Sequence, residues 1–444
     1  MRLTIVAGLL AAAVAWLAPT EPSQAWAERA PSVPIASAPE LARLGAFAVG
    51  AREVVWTNPE QPDVAAQVAG TPGAVTDRAL RVRIWHPAAA GEAGEPVSYP
   101  GMFPPALGAP AGLAFATPGI AALDAPIAEG SFPLIVLSHG FGGRPEYMSW
   151  LGENLASKGY VVVAPDHADR PLGAPAAFEE ALVYRALDQA FVARAALADP
   201  LLAGHIDANR VGLVGYSMGG YGALRTAGAP FNPQVAAAVA GGAMVPLAAG
   251  GALDQGALIP NLRGFVALAP WGGQARYGAF RAQDLARVQV PALVVAGDRD
   301  DISGFEDGVL RLFEGLTSAE RRLLVFENGG HTLPSVASPE DAIGVFAYEG
   351  FLEDPVWNKN RAQAIMQHFI TAFLDLTVKG DPSRAAYLPD AGPEAARDGV
   401  WPPTVEAPGE AVAAGQPGVT LWRGFARRTA EGLRFRHVAP SAAP

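Results

Sequence analysis

The sequence predicts an α/β protein with a mostly parallel central sheet, helices on both faces of that sheet and antiparallel strands near the N-terminus. Two observations support this fold class. From Phe132 onward, short unbroken runs of Val, Ile and Leu alternate with helical segments. One such run, at 211–214, passes directly into a Gly-rich turn and a small-residue helix. Uninterrupted apolar strands that alternate with helices are typical of a parallel sheet covered on both faces.

Each element is predicted from its local pattern. Alternating residues at 45–55 and 78–86 indicate the early antiparallel strands, and the Pro-, Gly- and Ala-rich stretch 98–130 indicates a long surface connection. The final helix places Ile365, Phe369, Phe373 and Leu376 on one apolar face. The core strands are predicted at 133–138, 160–165, 211–214, 264–269, 291–296 and 322–327, and the helices at 147–157, 178–197 and 361–378.

Two cap-like insertions interrupt this alternation. The low-complexity segment 229–261 follows the small-residue helix, where a cap over a site would lie, and the aromatic-containing segment 333–360 follows the last core strand. Either insertion shapes a substrate pocket, or else both are loops that pack on the surface.

The N-terminal segment indicates export. An arginine, an apolar run at 3–18 and Ala25-Trp26-Ala27 match the three parts of a secretory signal peptide, with cleavage after Ala27. The alternative is an uncleaved anchor helix, although the apolar run is shorter than the ~20 residues that span a bilayer. We expect a signal peptide at 1–27, a flexible lead-in at 28–44, a catalytic domain at 45–380 and a Pro/Ala-rich tail at 381–444. A short docking segment lies within the tail at 420–437. The mature protein is expected in the periplasm or secreted, without a stable membrane anchor.

Composition excludes several classes of function. The net charge of −11 argues against nucleic acid and anionic membrane surfaces as partners. The chain has no cysteine, which excludes disulfides, a thiol nucleophile, thiolate metal sites and a lipoprotein anchor.

The motif Gly215-Tyr-Ser217-Met-Gly219 is the centre of the functional prediction. A Gly-x-Ser-x-Gly sequence between a strand and a helix is the nucleophile elbow of the α/β-hydrolase fold, where a strained turn projects the serine hydroxyl. The glycines keep side chains away from the backbone and the substrate. Ser217 is therefore the predicted nucleophile, and the alternative is a Gly-rich turn without chemistry.

A serine nucleophile needs a general base and an orienting acid, which follow the serine along the chain in this fold. His331 lies in the turn after the last core strand and is the predicted base; the other histidines beyond the acid region are His368 and His437. The strand at 291–296 ends in three aspartates. Asp300 is the predicted acid, because Asp298 is better placed to hold the turn and Asp301 to face solvent. Asp298 is the alternative acid.

The oxyanion hole requires two backbone N–H donors. We predict Met218, which follows the serine, and Phe141, in the Gly-rich loop after the first parallel strand. His139 precedes the elbow and is expected to brace this loop. The loop lacks the glycine and lysine spacings of phosphate-binding loops. The side chains of Phe141, Met218 and Trp271 are predicted to contact the substrate, with a core role as the alternative for Trp271.

Together these motifs carry a resemblance to a known group. The chain resembles the exported dienelactone-hydrolase-like esterases, a group that is similar to the bacterial platelet-activating-factor acetylhydrolases, over roughly residues 45–380. The matching segments are 78–87, 130–140, 164–167, 215–220 and those around Asp300 and His331. The resemblance implies an α/β-hydrolase serine esterase for lipid-like or small carboxylic esters.

Some features depart from that group. Dienelactone hydrolase itself uses cysteine, and the animal acetylhydrolases place their acid after the strand that here ends in Ala-Pro-Trp271. The elbow and Trp271 are also similar to cutinase-like polyester hydrolases, in which that tryptophan contacts the substrate. Those enzymes usually carry disulfides.

The sequence thus predicts an exported serine carboxylic-ester hydrolase that acts through an acyl-enzyme on a small-molecule or lipid-like ester, without metal or organic cofactor. A cutinase-like polyester hydrolase or lipase is the alternative within this class. A serine peptidase and a non-catalytic binding protein with a hydrolase fold are the alternatives outside it. The oligomeric state is left open.

Overall fold

The computed structural model describes residues 30–89, 95–103, 112–171, 173–239, 242–254, 258–339, 342, 344–345, 349–350, 352–399, 422–426 and 428–441. The predicted signal peptide lies outside these residues. No helix in the described ranges is long and apolar enough to cross a membrane.

The described strands form one sheet with the order β11-β10-β9-β8-β7-β5-β6-β2-β1-β4-β3. The pairs from β6 through β10 are parallel, whereas β2 pairs antiparallel with β6 and with β1. The strands are β1 (Ala48–Pro62), β2 (Val75–Ala88), β3 (Pro96–Phe103), β4 (Leu113–Leu123), β5 (Phe132–Ser138), β6 (Val161–Pro165), β7 (Ile206–Tyr216), β8 (Leu262–Leu268), β9 (Ala292–Gly297), β10 (Arg321–Phe326) and β11 (Leu433–Val438).

Helices lie on both faces of this sheet. They are α1 (Val64–Val68), α2 (Ser149–Ser157), α3 (Ala177–Ala198), α4 (Met218–Thr226), α5 (Pro233–Ala236), α6 (Ala282–Leu285), α7 (Leu310–Gly315) and α8 (Lys359–Thr377). Residues of α3, α4 and α7 belong to one hydrophobic cluster, and residues of α2 and α8 belong to another.

The two clusters divide at the sheet. On β5, Leu134 and Val136 pack into the first cluster, and Ile135 and Leu137 pack into the second. Successive side chains of a strand point to opposite faces, so a strand covered on both faces is apolar at nearly every position. The predicted α/β-hydrolase fold, with its parallel core and antiparallel N-terminal strands, is confirmed.

The connection predicted at 98–130 is instead largely a β-hairpin. Strands β3 and β4 pair antiparallel at the edge of the sheet beyond β1. Gly101 lies opposite Phe115, whose ring occupies the space where a Cβ on Gly101 would lie, 2.1 Å away. Glycine and proline lower the intrinsic strand propensity of this stretch, and cross-strand packing onto the glycine compensates for it.

The segment 28–44, predicted as a flexible lead-in, lies against α2 and α8 from residue 30 onward. The Ser32 hydroxyl donates to the buried Glu153 carboxylate at 2.6 Å, and the Asn154 amide donates to the Ala42 carbonyl at 2.8 Å. The residues that hold this segment in place are distant from it in sequence, so its local composition does not indicate that it is held.

The C-terminal segment also contacts the body of the protein. Strand β11 pairs antiparallel with β10 along the far edge of the sheet. Trp422, Phe425 and Phe435 surround the Phe369 ring of α8, with centroids 5.3 to 5.8 Å from it. Residues 400–421 lie outside the described part of the chain.

The sheet order places two loops beside each other. Strand β5 has β7 on one side and β6 on the other, so the chain reverses its direction of travel across the sheet at β5. Loops that leave neighbouring strands at such a point diverge and open a crevice at the carboxyl edge of the sheet. The loops after β5 and β7 are those of the predicted oxyanion hole and nucleophile.

Candidate active site

Ser217 lies at the junction of β7 and α4, in a strained backbone conformation with φ 53° and ψ −112°. A Cβ on Gly215 would approach the Gly219 carbonyl oxygen to 2.1 Å, and one on Gly219 would approach the Ser138 carbonyl oxygen to 2.2 Å. Only glycine fits at either position. The turn is held by the Ser217 amide, which donates to the Leu268 carbonyl at 2.8 Å.

The three predicted triad residues lie together. The Ser217 hydroxyl oxygen is 3.0 Å from Nε2 of His331, whose Nδ1 lies 2.9 Å and 3.0 Å from the two carboxylate oxygens of Asp300. All three residues are more than nine-tenths buried. With Nδ1 donating to Asp300, the imidazole presents an unprotonated Nε2 to the serine, as a general base requires.

Asp300 and Asp298 have different surroundings. One Asp300 oxygen accepts backbone N–H groups of Ile302 and Ser303 at 3.0 and 2.8 Å, which orients the carboxylate toward the histidine. Asp298 accepts the Asn328 amide at 2.6 Å and pairs with Arg434 of β11 at 3.0 Å. The exposed Asp301 faces solvent. Asp298 therefore holds a turn, and Asp300 contacts the imidazole.

The other histidines considered as bases lie in different surroundings. His368 is buried within α8, where its Nδ1 accepts the Leu41 amide at 3.1 Å. Burial lowers the pKa of His368 to about 3, so it remains neutral. His437 is on β11, near Glu320. His139 is buried beside the oxyanion loop and contacts the Gly140 carbonyl through Nδ1 at 2.6 Å, as a bracing role requires.

The predicted oxyanion donors lie at the start of α4 and in the loop after β5. Met218 is the first residue of α4, so its N–H group has no carbonyl partner within the helix. Phe141 follows Gly140, and a Cβ on Gly140 would lie 3.3 Å from the Cβ of Ser217. Gly140, whose carbonyl shares a peptide unit with the Phe141 amide, thus packs against the nucleophile.

An aromatic cluster extends from the oxyanion loop. The half-buried Phe141 ring is 6.2 Å from Phe178 of α3, and Phe178 makes an edge-to-face contact with Trp271 at 5.1 Å. Trp271 is only 7% exposed and also contacts Tyr221 at 5.8 Å and Tyr277 at 4.9 Å. The Trp271 indole is mostly core, although its amide donates to the Ser217 carbonyl at 3.1 Å. The Met218 side chain, which was also predicted to contact the substrate, is buried with 2% exposed.

The support for His331 comes from residues that the sequence did not indicate. The Gly330 amide, just before His331, donates to the Asp354 carboxylate at 2.6 Å. Lys359 donates to the Thr332 carbonyl, just after His331, at 2.6 Å. Tyr216 donates to the His331 carbonyl at 3.2 Å. Asp354 and Lys359 both lie within the insertion at 333–360, and no local sequence pattern connects them to His331.

One group of side chains has the donor types of a metal site. Among the described residues, Glu320, Asp390 and His437 place their ligand atoms within 4.8 Å of one another. Arg322 already pairs with Glu320 at 2.7 Å and with Asp390 at 2.6 Å. This guanidinium bridges both carboxylates, so the group is better described as an ion-pair cluster that links β10 to its surroundings.

Comparison with known proteins identifies the family of this chain. The family model described as PET hydrolase-like matches residues 124–247 and 229–351, which together cover just over half of the 444 residues. The chain belongs to the PET hydrolase-like family. The matched region includes the elbow, the acid and the histidine.

Curated relatives of this PET hydrolase-like chain carry names of ester hydrolases. Bis(hydroxyethyl) terephthalate hydrolase from Streptomyces coelicolor is 26% identical over 211 residues, which are 47% of this chain and 54% of the relative. Cutinase 2 from Thermobifida cellulosilytica is 24% identical over 226 residues, which are 50% of this chain and 68% of the relative. Cutinase est2 from Thermobifida alba is 33% identical over 117 residues, which are 26% of this chain and 35% of the relative. The chain spans about half the length of the first of these relatives. A ferulic acid esterase from Streptomyces cinnamoneus has a TM-score of 0.48, with 21% identity and coverage of 76% of this chain and 92% of that chain.

Proposed function

We propose that this protein is a serine carboxylic-ester hydrolase in which Ser217 is the nucleophile, His331 the general base and acid, and Asp300 the orienting acid. The observation that carries the proposal is the unbroken hydrogen-bonded line from the Ser217 hydroxyl through His331 to the Asp300 carboxylate. A strained serine at an elbow, an imidazole of fixed tautomer and two nearby backbone donors are the components that acyl transfer requires.

The reaction follows from these positions. The Ser217 oxygen adds to the ester carbonyl carbon while its proton passes to Nε2 of His331, and the Met218 and Phe141 amides bind the developing oxyanion. Collapse breaks the bond to the alcohol, which takes the proton from His331 and leaves an acyl-enzyme. Water then adds to the acyl carbon, His331 accepts its proton and returns it to Ser217, and the carboxylic acid departs.

For the substrate, we favour the cutinase-like alternative over the lipid-like esters expected first. The relatives are named as cutinases and a bis(hydroxyethyl) terephthalate hydrolase. The half-buried rings of Phe141 and Phe178 beside the oxyanion loop are consistent with an ester that carries an aromatic or extended apolar acyl group. The proposed substrate class is a polyester or one of its small aromatic ester fragments.

The proposal is tested with wild type and Ser217→Ala. We expect a fluorophosphonate probe to label wild type once, on Ser217, and wild type alone to release terephthalic acid monoester from bis(hydroxyethyl) terephthalate. A lipid acetyl ester and a peptide amide are the comparison substrates. Hydrolysis of the lipid ester but not of the terephthalate ester would favour the lipid-like substrates that the sequence analysis expected. Equal labelling of Ser217→Ala would contradict the assignment of Ser217 as the nucleophile.

Export remains part of the proposal and rests on the signal-like pattern at 1–27. Sequencing the N-terminus of protein recovered outside the cytoplasm tests it. We expect the first residue to be Glu28, and an intact Met1 in that fraction would contradict cleavage.

A further inference from the structure

The loop that carries Phe141 is held by charged residues with no contact to the triad. The oxyanion donor is the N–H group of the peptide unit whose carbonyl belongs to Gly140. A peptide unit is planar and trans, so its N–H points opposite to its C=O. Whatever fixes the direction of the Gly140 carbonyl therefore aims the Phe141 amide.

The Gly140 carbonyl oxygen accepts three hydrogen bonds. One comes from within the loop, where the Gly143 amide donates to it at 3.1 Å, and the other two come from side chains. Nη2 of Arg185, on α3, donates to it at 3.1 Å, and His139 donates to it through Nδ1 at 2.6 Å. The tautomer of His139 is set by its other nitrogen, Nε2, which accepts the His167 amide at 3.1 Å. Burial, together with the nearby Arg185 cation, lowers the pKa of His139, so the ring is neutral and Nδ1 carries the single proton.

The next peptide unit is held as well. The Gly142 amide donates to Oδ2 of Asp169 at 2.8 Å, and Gly142 has the left-handed φ of 68° that this turn needs. Phe141 thus lies between two fixed peptide units, one bound to Arg185 and the other to Asp169.

Arg185 and Asp169 also bind each other. Nη1 and Nη2 of the guanidinium donate to the two carboxylate oxygens at 2.8 and 2.6 Å, and the side chains are 0% and 3% exposed. Burial opposes ionisation of Asp169, but the Arg185 charge outweighs it and holds the pKa of Asp169 well below its ordinary value. A buried ion pair contributes little net stability because desolvation offsets its attraction. Its two-point geometry does, however, fix direction.

We propose that Arg185 and Asp169 are positioning residues of the oxyanion hole, which aim the Phe141 amide at the developing alkoxide and polarise it. This inference rests on the proposed ester hydrolysis. A cation that donates to the Gly140 oxygen draws electron density through that peptide unit and makes the Phe141 N–H a stronger donor. The effect operates where negative charge develops, so it lowers the barrier to reaction more than it tightens substrate binding.

The test uses Arg185→Met, Arg185→Lys and Asp169→Asn in the full chain. Arg170→Gln is the matched control, because Arg170 is the next residue after Asp169 but is 49% exposed and pairs with Glu180 instead. For a p-nitrophenyl ester we expect Arg185→Met to lower kcat about 10- to 100-fold, part of the effect of losing an oxyanion donor, with KM changed less than about threefold. Arg185→Lys restores part of kcat, and the control matches wild type.

A second readout separates positioning from folding. A trifluoromethyl ketone that adds to Ser217 carries the oxyanion, so its affinity should fall by the same factor as kcat in each variant. If Arg185→Met does not fold, Arg185→Lys and Asp169→Asn carry the same comparison. Unchanged kcat and ketone affinity in folded variants would overturn this inference alone. A wild type that neither turns over esters nor reacts at Ser217 with a fluorophosphonate would overturn it together with the proposed function.

Discussion

Replacing Asp300 with asparagine should reverse the tautomer of His331. The backbone N–H groups of Ile302 and Ser303 both point at Oδ1 of residue 300, which must therefore remain an acceptor. The asparagine NH2 group then takes the place of Oδ2, 2.9 Å from Nδ1 of His331. Two donors cannot share that contact, and Oδ1, which lies 3.0 Å from Nδ1, already accepts two backbone N–H groups. The tautomer with the proton on Nε2, facing Ser217, is therefore favoured, and it blocks proton transfer.

The expected loss is large and concentrated in kcat. Trapping the base in the wrong tautomer and removing the charge that stabilises the imidazolium should lower kcat about 10⁴-fold. At about 1.4 kcal/mol per factor of ten, this corresponds to roughly 5 kcal/mol of transition-state stabilisation. Asp300→Asn keeps the size and the Oδ1 contacts of the side chain, so the melting temperature should change little.

Asp298→Asn is the matched control for this change. Asp298 pairs with Arg434 and the Asn328 amide and has no contact with the imidazole. We expect it to lower stability modestly and kcat less than about threefold, since this ion pair is partly exposed. Steady-state kinetics on a p-nitrophenyl ester, with melting curves for both variants, make the comparison. A greater loss of kcat in Asp298→Asn would refute the reasoning and move the acid to position 298.

The other predictions concern the nucleophile, the aromatic cluster, metal dependence and pH. Ser217→Ala and His331→Ala should each lower ester turnover by about 10⁴-fold or more, and the double variant should lose little more, because the two act as one unit; additive losses would contradict the assignment. Trp271→Ala removes a 7% exposed indole with three aromatic neighbours, so unfolding measurements should give a loss of about 3–5 kcal/mol, and a stable variant with a purely size-dependent loss of kcat/KM would make Trp271 a substrate wall instead. EDTA should leave activity unchanged because the proposed mechanism uses no metal, and reversible loss restored by zinc or calcium would contradict it. Burial lowers the pKa of Lys158 to about 7 from an ordinary 10.5, so between these pH values the unfolded chain binds more protons and the free energy of unfolding should rise with pH. Lys158→Met should flatten that rise in denaturant titrations, and an unchanged dependence of the unfolding free energy on pH would contradict the pKa shift.

The sequence was most informative where one local pattern has one physical cause. Unbroken apolar runs predicted the parallel core strands because a strand covered on both faces has few positions for a polar side chain. The glycines around Ser217 predicted the elbow because only glycine fits where the backbone passes so closely. Ser217, Asp300 and His331 could be selected because each follows a core strand, and such positions meet at the same edge of the sheet.

Tertiary structure decided what depends on distant partners. The hairpin β3–β4 was not predicted because its glycines and prolines form strands only through cross-strand packing such as Phe115 on Gly101. Segment 30–44 is ordered by Glu153 and Asn154, which lie more than 100 residues away. The choice between Asp298 and Asp300 turned on their neighbours in space, Arg434 for one and His331 for the other.

The support of the oxyanion loop is the strongest example. Asp169 follows β6 and Arg185 lies within α3, so nothing in their spacing connects them to the loop after β5. Residue type and local periodicity determine which side chains can act as nucleophile, base or donor. The direction in which a backbone amide points depends on hydrogen bonds from other elements, and these exist only once the sheet and its helices have packed together.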